Sequence, residues 1–130
     1  IDGLSIPLYG NGLNIRDWLF VEDHIDALLL ISQKGRIGEK YCIGGYGEKT
    51  NKEVLEKICT LLDIYIPKKY PHKNLIEYVK DRAGHDNRYA IDSNKIKTEL
   101  NWIPNFTFNE GIELTVKWYL ENRNWWDNRK

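Results

Sequence analysis

The 130-residue chain contains no methionine, only two cysteines and four prolines, and no excess of charge of either sign. Lysine plus arginine and aspartate plus glutamate number 19 each, so no overall positive field exists to attract nucleic acid. No apolar run approaches the roughly 20 residues that a membrane helix needs. We therefore expect neither a nucleic-acid partner nor membrane insertion, and any anion-binding site must be local.

Other features are missing as well. Cys42 and Cys59 belong to no zinc-binding spacing, and the three histidines are not spaced as metal ligands. Both cysteines are expected to be buried free thiols in a reducing cytoplasm.

The opening "IDGLSIPLYG" lacks the parts of a signal peptide, and we expect the chain to be part of a longer protein. With 42% apolar and 29% charged residues, the composition is typical of a soluble globular protein with a single core.

Short predicted strands and helices alternate along the chain, which favours a small mixed α/β domain. The segment "IPLYGNGLNIRDWLFV" predicts a hairpin around Gly10-Asn11-Gly12. Further strands are predicted at "KYCIGG", "NLIEYVKD" and "YAID".

Helices are predicted from their end signals. "EDHIDALLLISQKG" begins with carboxylates, has the dense apolar block of a well-buried helix and ends at Gly35. Capping boxes start two more helices, at Thr50 with Glu53 and at Thr107 with Glu110. Ser93 or Asp92 can cap a brief helix through Leu100. The tail "ENRNWWDNRK" is expected to fray, with Trp125 and Trp126 available to a neighbour.

Two sequence motifs that are typical of enzymes occur in this chain, but each is incomplete or interrupted. Gly10 and Gly12 begin a G-x-G-x-x-G pattern, but Ile15 occupies the third glycine position and no helix is expected to follow. Tyr65 and Lys69 have a dehydrogenase spacing that requires a helical turn, and Pro67 lies inside it. We predict no catalytic residue and no metal site on this chain.

Two arginines occur in unusual company: Arg16 in "NIRDW" and Arg82 in "DRAGHDNRYAID". A guanidinium is a planar fork that matches two phosphate oxygens, and a nearby glycine lets a ligand approach backbone N–H groups. This combination suits a diphosphate. Structural ion pairs are the alternative interpretation, and spacing alone leaves both open.

The chain resembles the C-terminal part of the dTDP-glucose 4,6-dehydratases, a family of extended short-chain dehydrogenases/reductases. Four segments that span nearly the whole chain carry the resemblance: "IPLYGNGLNIRDWLFVEDHIDALLL", "KYCIGGYGEKTN", "DRAGHDNRYAID" and "ELNWIPNFTFNEGIELTVKWYLEN". The first has looser relatives among nucleotide-sugar epimerases and decarboxylases. The third is far more particular to the dehydratases.

The resemblance implies that residues 1–130 form the smaller, mixed α/β domain that binds the nucleotide-sugar, without the Rossmann half that holds NAD. The full enzymes convert dTDP-glucose to dTDP-4-keto-6-deoxyglucose, a step in rhamnose-type deoxysugar biosynthesis. Hydride passes from C4 of the sugar to NAD, water is lost across C5 and C6, and the hydride returns to C6. Because the catalytic residues lie in the larger half, this chain alone is expected to be inactive and to bind no cofactor.

The resemblance also implies binding roles. Pro7, Leu8 and Tyr9 would line the nucleotide, with the tyrosine ring facing thymine. Arg16 would hold the diphosphate, joined by Asn51 at the positive end of its helix. The segment Asp81, Arg82, Ala83, Gly84 and His85 would close over it, with Arg82 supplying charge and His85 a polar contact. Asp17, Glu22 and Asp23 are expected to anchor the Arg16 loop and cap the following helix.

Two departures from the family pattern stand out. Ala83 replaces an expected proline, which should loosen its loop, and Cys42 stands where asparagine is usual.

Two alternative functions remain: the same domain of a UDP-sugar epimerase or decarboxylase, and a non-catalytic interaction module that presents Trp125 and Trp126.

Overall fold

A computed structural model describes residues 1–127 of the chain. It contains both strands and helices, interspersed along the chain, so the predicted mixed α/β class is confirmed. The strands are β1 (Ile6–Tyr9), β2 (Ile15–Asp17), β3 (Glu48–Thr50) and β4 (Ile76–Val79). The helices are α1 (Val21–Lys34), α2 (Asn51–Tyr65), α3 (Asn94–Leu100), α4 (Phe108–Glu121) and α5 (Arg123–Asp127), with a 3₁₀ turn at His72–Leu75.

The chain divides into two units, each built from separate stretches of sequence. The first unit comprises Ile1–Asn14, Thr50–Asn87 and Ile112–Lys130, and the second comprises Ile15–Lys49 and Arg88–Gly111. Each has its own hydrophobic cluster, around Leu61, Leu62 and Val116 in the first and around Ala27, Ile96 and Trp102 in the second. The expectation of a single core is therefore wrong for the described residues.

In the first unit, β1 and β4 pair in parallel, with Ile6 opposite Ile76 and Tyr9 opposite Val79. Leu8 is the buried residue of β1, while Pro7 and Tyr9 point to the opposite, exposed face. Helix α2 begins with the predicted capping box, because the Thr50 hydroxyl accepts from the Glu53 N–H and the Glu53 carboxylate accepts from the Thr50 N–H.

In the second unit, α1 ends before Gly35 as predicted, and its buried residues are Asp23 and Ala27. Four of its aliphatic residues are 49–60% exposed, which differs from the well-buried helix that the sequence suggested: Val21, Ile25, Leu28 and Leu29. Thr107 and Glu110 form the second predicted capping box ahead of α4.

Several predicted strands are wrong. Residues 6–21 do not form a hairpin, because β1 pairs with β4 and β2 pairs with β3. Three-residue β2 offers too few cross-strand contacts to hold a hairpin by itself. Residues 40–45 form no strand, and neither does "YAID"; the isolated bridge to Ile15 is made by Arg88, the residue just before it. Asp92, the last residue of that segment, accepts the N–H of Asn94 at the start of α3.

The tail and the cysteines also differ from expectation. Arg123–Asp127 is helical rather than frayed, and residues 128–130 lie outside the described part. Cys59 is buried, as predicted, whereas Cys42 is exposed. In the described part of the chain, no helix has the length and apolar character to cross a membrane.

Candidate functional site

The candidate residues of the first unit gather where its two parallel strands end. Because β1 and β4 run in the same direction, Tyr9 and the segment that follows Val79 lie at one edge of the sheet. The Gly10 N–H donates to the Val79 carbonyl oxygen at 3.0 Å and continues the ladder by one residue. This edge is therefore the place where the tyrosine and the segment 81–85 meet.

Four side chains form what we call the strand-end cluster: Tyr9, Asp81, Arg82 and His85. The Arg82 guanidinium carbon lies 5.5 Å from the centre of the Tyr9 ring, a cation–π distance. His85 Nδ1 lies 2.7 Å from Asp81 Oδ1, and His85 Nε2 lies 2.7 Å from an Arg82 guanidinium nitrogen. Tyr9 keeps 43% of its surface exposed. The cluster thus presents a cationic group and an aromatic ring together at the surface.

The partners of His85 fix its protonated nitrogen. Nδ1 faces a carboxylate and must donate, whereas Nε2 faces a guanidinium, which can only donate, and must accept. A neutral ring with its proton on Nδ1 satisfies both neighbours. The hydrogen bond from His85 also lowers the pKa of the Asp81 carboxyl below its ordinary value, with a smaller contribution from the Arg82 N–H.

Two residues that sequence reasoning did not assign support this segment. Gly10 has φ of +58°, and a Cβ there would lie 2.6 Å from Asp81 Oδ2, so the carboxylate occupies space that only glycine leaves open. Asn14 is buried, and its side-chain amide donates to the Asp86 carbonyl oxygen at 3.2 Å. The glycine of the turn was a visible signal in the sequence. The role of Asn14 depends on a partner 72 residues away.

Asn51 lies at the start of α2, as predicted, but the amide groups of this helix end are already occupied. The N–H of Asn51 donates to the Asn14 carbonyl oxygen at 3.1 Å, and that of Lys52 donates to the Gly12 carbonyl oxygen at 2.9 Å. The N–H of Glu53 donates to the Thr50 hydroxyl. A ligand role for Asn51 would therefore fall to its side chain rather than to the backbone of the helix end.

The remaining candidates of the first unit differ in exposure. Pro7 and Ala83 are exposed, and Gly84 has φ of +67° with open space around it. The Leu8 side chain is 6% exposed and packs beneath Gly12, so it cannot offer its surface to a ligand. Pro7 also lines a cavity of about 330 Å³, and none of the other candidate residues is among the described residues of its wall.

Arg16 belongs to the second unit, on β2. Its Nη1 donates to the Ile15 carbonyl oxygen at 2.6 Å, and its guanidinium carbon lies 4.4 Å from the centre of the Tyr89 ring. Tyr89 is held next to β2 because its N–H donates to the Ile15 carbonyl oxygen. Arg88, from the same sequence string as Arg82, instead forms a bidentate pair with Glu48. Whether Arg16 and Arg82 meet one diphosphate stays a prediction.

The acidic residues near Arg16 hold the backbone of the second unit. Asp17 accepts from the N–H groups of Gly45 and Gly47, both at 2.9 Å, which confirms its predicted anchoring role. Asp23 does not cap α1. Its fully buried carboxylate accepts instead from the N–H groups of Asn105 and Phe106, at 2.7 and 3.2 Å. Glu22 lies exposed in the first turn of α1.

Within residues 1–127, no group of three histidine, cysteine, aspartate or glutamate side chains is arranged to hold a metal ion. The Gly10–Gly12 turn leads into β2 rather than into a helix, and the Gly12 carbonyl oxygen is taken by Lys52. It therefore lacks the strand–turn–helix arrangement that binds the pyrophosphate of a dinucleotide. The chemistry available at the strand-end cluster is recognition of an anion and of a planar ring.

Comparison with known proteins defines the class. The sequence model of the GDP-mannose 4,6 dehydratase family matches residues 2–115, and the chain belongs to this family.

Similar proteins include several dTDP-glucose 4,6-dehydratases. The Escherichia coli enzyme is 52% identical over 130 residues, which cover 100% of this chain and 36% of that protein. The crystal structure of the Bacillus anthracis enzyme, in complex with NAD, has a TM-score of 0.85 and 50% identity over 99% of this chain and 39% of its own. DesIV from Streptomyces venezuelae, with NAD and TYD bound, has a TM-score of 0.85 and 42% identity over 99% and 38%. This chain thus spans little more than a third of the length of these relatives.

Proposed function

We propose that this chain is the nucleotide-sugar-binding part of a dTDP-glucose 4,6-dehydratase. The activity assigned to such an enzyme is the conversion of dTDP-glucose to dTDP-4-keto-6-deoxyglucose with loss of water. NAD would be held by the part of the enzyme that this chain does not span. The proposal draws on the 42–52% identity to proteins of that name and on the chemistry of the strand-end cluster.

The single observation that carries the proposal is the placement of Arg82 beside Tyr9. A guanidinium can bind two phosphate oxygens at once, and a half-exposed tyrosine offers its ring to a planar base. A nucleoside diphosphate has both groups in one molecule. Arg16 would supply a second guanidinium for the diphosphate, with Pro7 and the Asn51 side chain beside the nucleotide.

Calorimetric titration of the 130-residue chain with dTDP-glucose and with UDP-glucose tests the substrate class. We expect dTDP-glucose to bind more tightly. A clear preference for UDP-glucose would contradict the proposal and favour the epimerase or decarboxylase alternative. The matched control is the Arg36→Ala variant, which removes an exposed arginine paired with Glu99 and should bind dTDP-glucose like the original chain.

Inactivity of the isolated chain is a separate expectation. With NAD and dTDP-glucose added, no 4-keto-6-deoxy product should form, because the Gly10–Gly12 turn is not followed by a helix and the family resemblance assigns catalysis to the part of the enzyme that this chain does not span. Formation of product by the purified chain would show that catalysis had been assigned to the wrong part of the enzyme.

The structure offers less support for an interaction module built on the two tryptophans. The Trp126 indole N–H donates to the Tyr119 carbonyl oxygen at 2.8 Å. Trp125 packs edge-on against Trp118, with 5.0 Å between ring centres. Both rings already contact α4, and half of the surface of Trp125 is exposed. Failure of both nucleotide-sugars to bind, together with capture of a partner that a Trp125→Ala variant loses, would favour this alternative.

A further inference from the structure

His85 lies where it can support the Arg82 side chain and not where it could contact a ligand. Its side chain is only 4% exposed, and both ring nitrogens are occupied, Nδ1 by Asp81 and Nε2 by Arg82. A histidine that touched a bound ligand would need a free nitrogen or an exposed ring face. The polar contact that the sequence suggested for His85 is therefore directed at Arg82.

Asp81 presents an electrostatic contradiction if it only lines the site. Its carboxylate is negatively charged, and its side chain is 43% exposed at the edge where an anion would bind. By its charge alone it would weaken the binding of a diphosphate. Its contacts give it another purpose, because Oδ1 accepts from both His85 Nδ1 and the Arg82 N–H.

The glycine turn makes this arrangement possible. Gly10 leaves the space in which the Asp81 carboxylate sits, and the same glycine ties the end of β1 to Val79. The turn, the carboxylate, the imidazole and the guanidinium thus form a continuous chain of contacts that begins at the sheet and ends at the Tyr9 ring.

We propose that Asp81 and His85 are positioning residues: Asp81 fixes the tautomer of His85, and His85 Nε2 holds the Arg82 guanidinium at the Tyr9 ring, ready for a nucleoside diphosphate. The proposal rests on the proposed function for the identity of the ligand. The positioning itself is a property of the chain without ligand. An arginine held in advance loses less side-chain entropy on binding than one that moves freely.

The first test needs no ligand. Nitrogen NMR of the histidine ring should show His85 of the original chain with its proton on Nδ1, and Asp81→Asn should keep that tautomer because the amide oxygen still accepts. Asp81→Ala should lose the preference. Relaxation of the Arg82 side-chain nitrogens should report a rigid group in the first two proteins and a mobile one in Asp81→Ala. A proton on Nε2, or an equally mobile Arg82 in all three, overturns the proposal.

The second test uses paired isosteres of His85, with binding of dTDP as the readout. His85→Gln places an amide oxygen where Nε2 lies and can still accept from Arg82, whereas His85→Asn reaches only toward Asp81. We expect His85→Gln to bind dTDP within about twofold of the original chain and His85→Asn to bind about tenfold more weakly, the size of one lost hydrogen bond to a charged group. Equal losses in the two variants would contradict a positioning role.

The sign of the Asp81 effect distinguishes support from simple charge. If the carboxylate only repels the ligand, Asp81→Ala binds dTDP more tightly; if it positions Arg82, Asp81→Ala binds more weakly while Asp81→Asn does not. Amide fingerprint spectra confirm that each variant is folded. Should the original chain bind no dTDP, the proposed function fails, and the tautomer and mobility measurements still decide the positioning proposal.

Discussion

The two units of the molecule use aspartate in different ways. In the second unit, Asp17 of β2 and Asp23 of α1 each accept two backbone N–H groups, and so each holds a loop against its own strand or helix. In the first unit, Asp63 and Asp81 each pair with a histidine ring, at 2.6 and 2.7 Å. Asp63 and Asp81 also accept one backbone N–H each, but their bond to a histidine ring can in addition orient that ring.

The two aspartate–histidine pairs of the first unit differ from each other as well. His72 is 1% exposed, and its Nε2 has no hydrogen-bond partner in the described protein, so this pair ends in the interior. The Nε2 of His85 bonds to Arg82, which is exposed. An aspartate–histidine pair is therefore structural at His72, whereas at His85 it supports an exposed arginine. The partner of the histidine Nε2 atom is what distinguishes the two pairs.

The largest expected effect on the free energy of unfolding comes from removing a carboxylate that accepts backbone N–H groups. Asp23→Ala removes a fully buried carboxylate and leaves two N–H groups without an acceptor. We expect it to lower the free energy of unfolding by about 3 kcal/mol, as measured by urea denaturation. Glu22→Ala, the exposed neighbour, should change it by less than about 0.5 kcal/mol. Similar losses in the two variants would show that the buried carboxylate has no special role.

The next effect compares the two arginines. Arg82→Ala in the first unit and Arg16→Ala in the second should each weaken dTDP binding by about 30-fold, because each would lose a bidentate contact to phosphate. Binding of dTMP should weaken less, since it lacks the diphosphate. Calorimetry measures both. If only one variant loses affinity, the other arginine does not contact the diphosphate.

A smaller effect compares the two capping boxes. Thr50→Ala at α2 should lower the free energy of unfolding by about 1 kcal/mol. Thr107→Ala at α4 should cost somewhat less, because its hydroxyl lies 3.4 Å from the Glu110 nitrogen against 3.1 Å for Thr50 and Glu53. Thermal unfolding of both variants at neutral pH measures the difference. A larger loss for Thr107→Ala would reverse the ranking.

The smallest expected effect is on stability in acid. Bonds from the His72 backbone and ring lower the pKa of the Asp63 carboxyl. Its stabilisation is therefore complete above the unfolded value of about 3.9 and is lost as the pH falls through the lower folded value. Melting temperatures from neutral pH down into acid should show a decline that Asp63→Asn flattens. Asp26→Asn, on the exposed side of α1, should leave the curve unchanged.

Part of the fold and of the site could be predicted, and the reason lies in the distance over which each signal acts. The capping boxes of α2 and α4 and the end of α1 at Gly35 depend on residues within one helical turn, and all three were confirmed. The predicted hairpin was wrong because the partner of β1 lies 70 residues further along the chain. Family resemblance pointed to the segment 81–85, but not to the mutual contacts of its side chains.

The sequence by itself determined the class of fold, the ends of the main helices and the family, because local capping energies and a long string of particular residues require no knowledge of partners. Tertiary structure alone decided that the strands pair in parallel and that Asp23 fastens a loop instead of capping its own helix. It also decided that His85 serves Arg82. In each case a polar group has several possible hydrogen-bond partners, and their positions in the sequence do not say which one it takes. Only folding brings one of them within bonding distance.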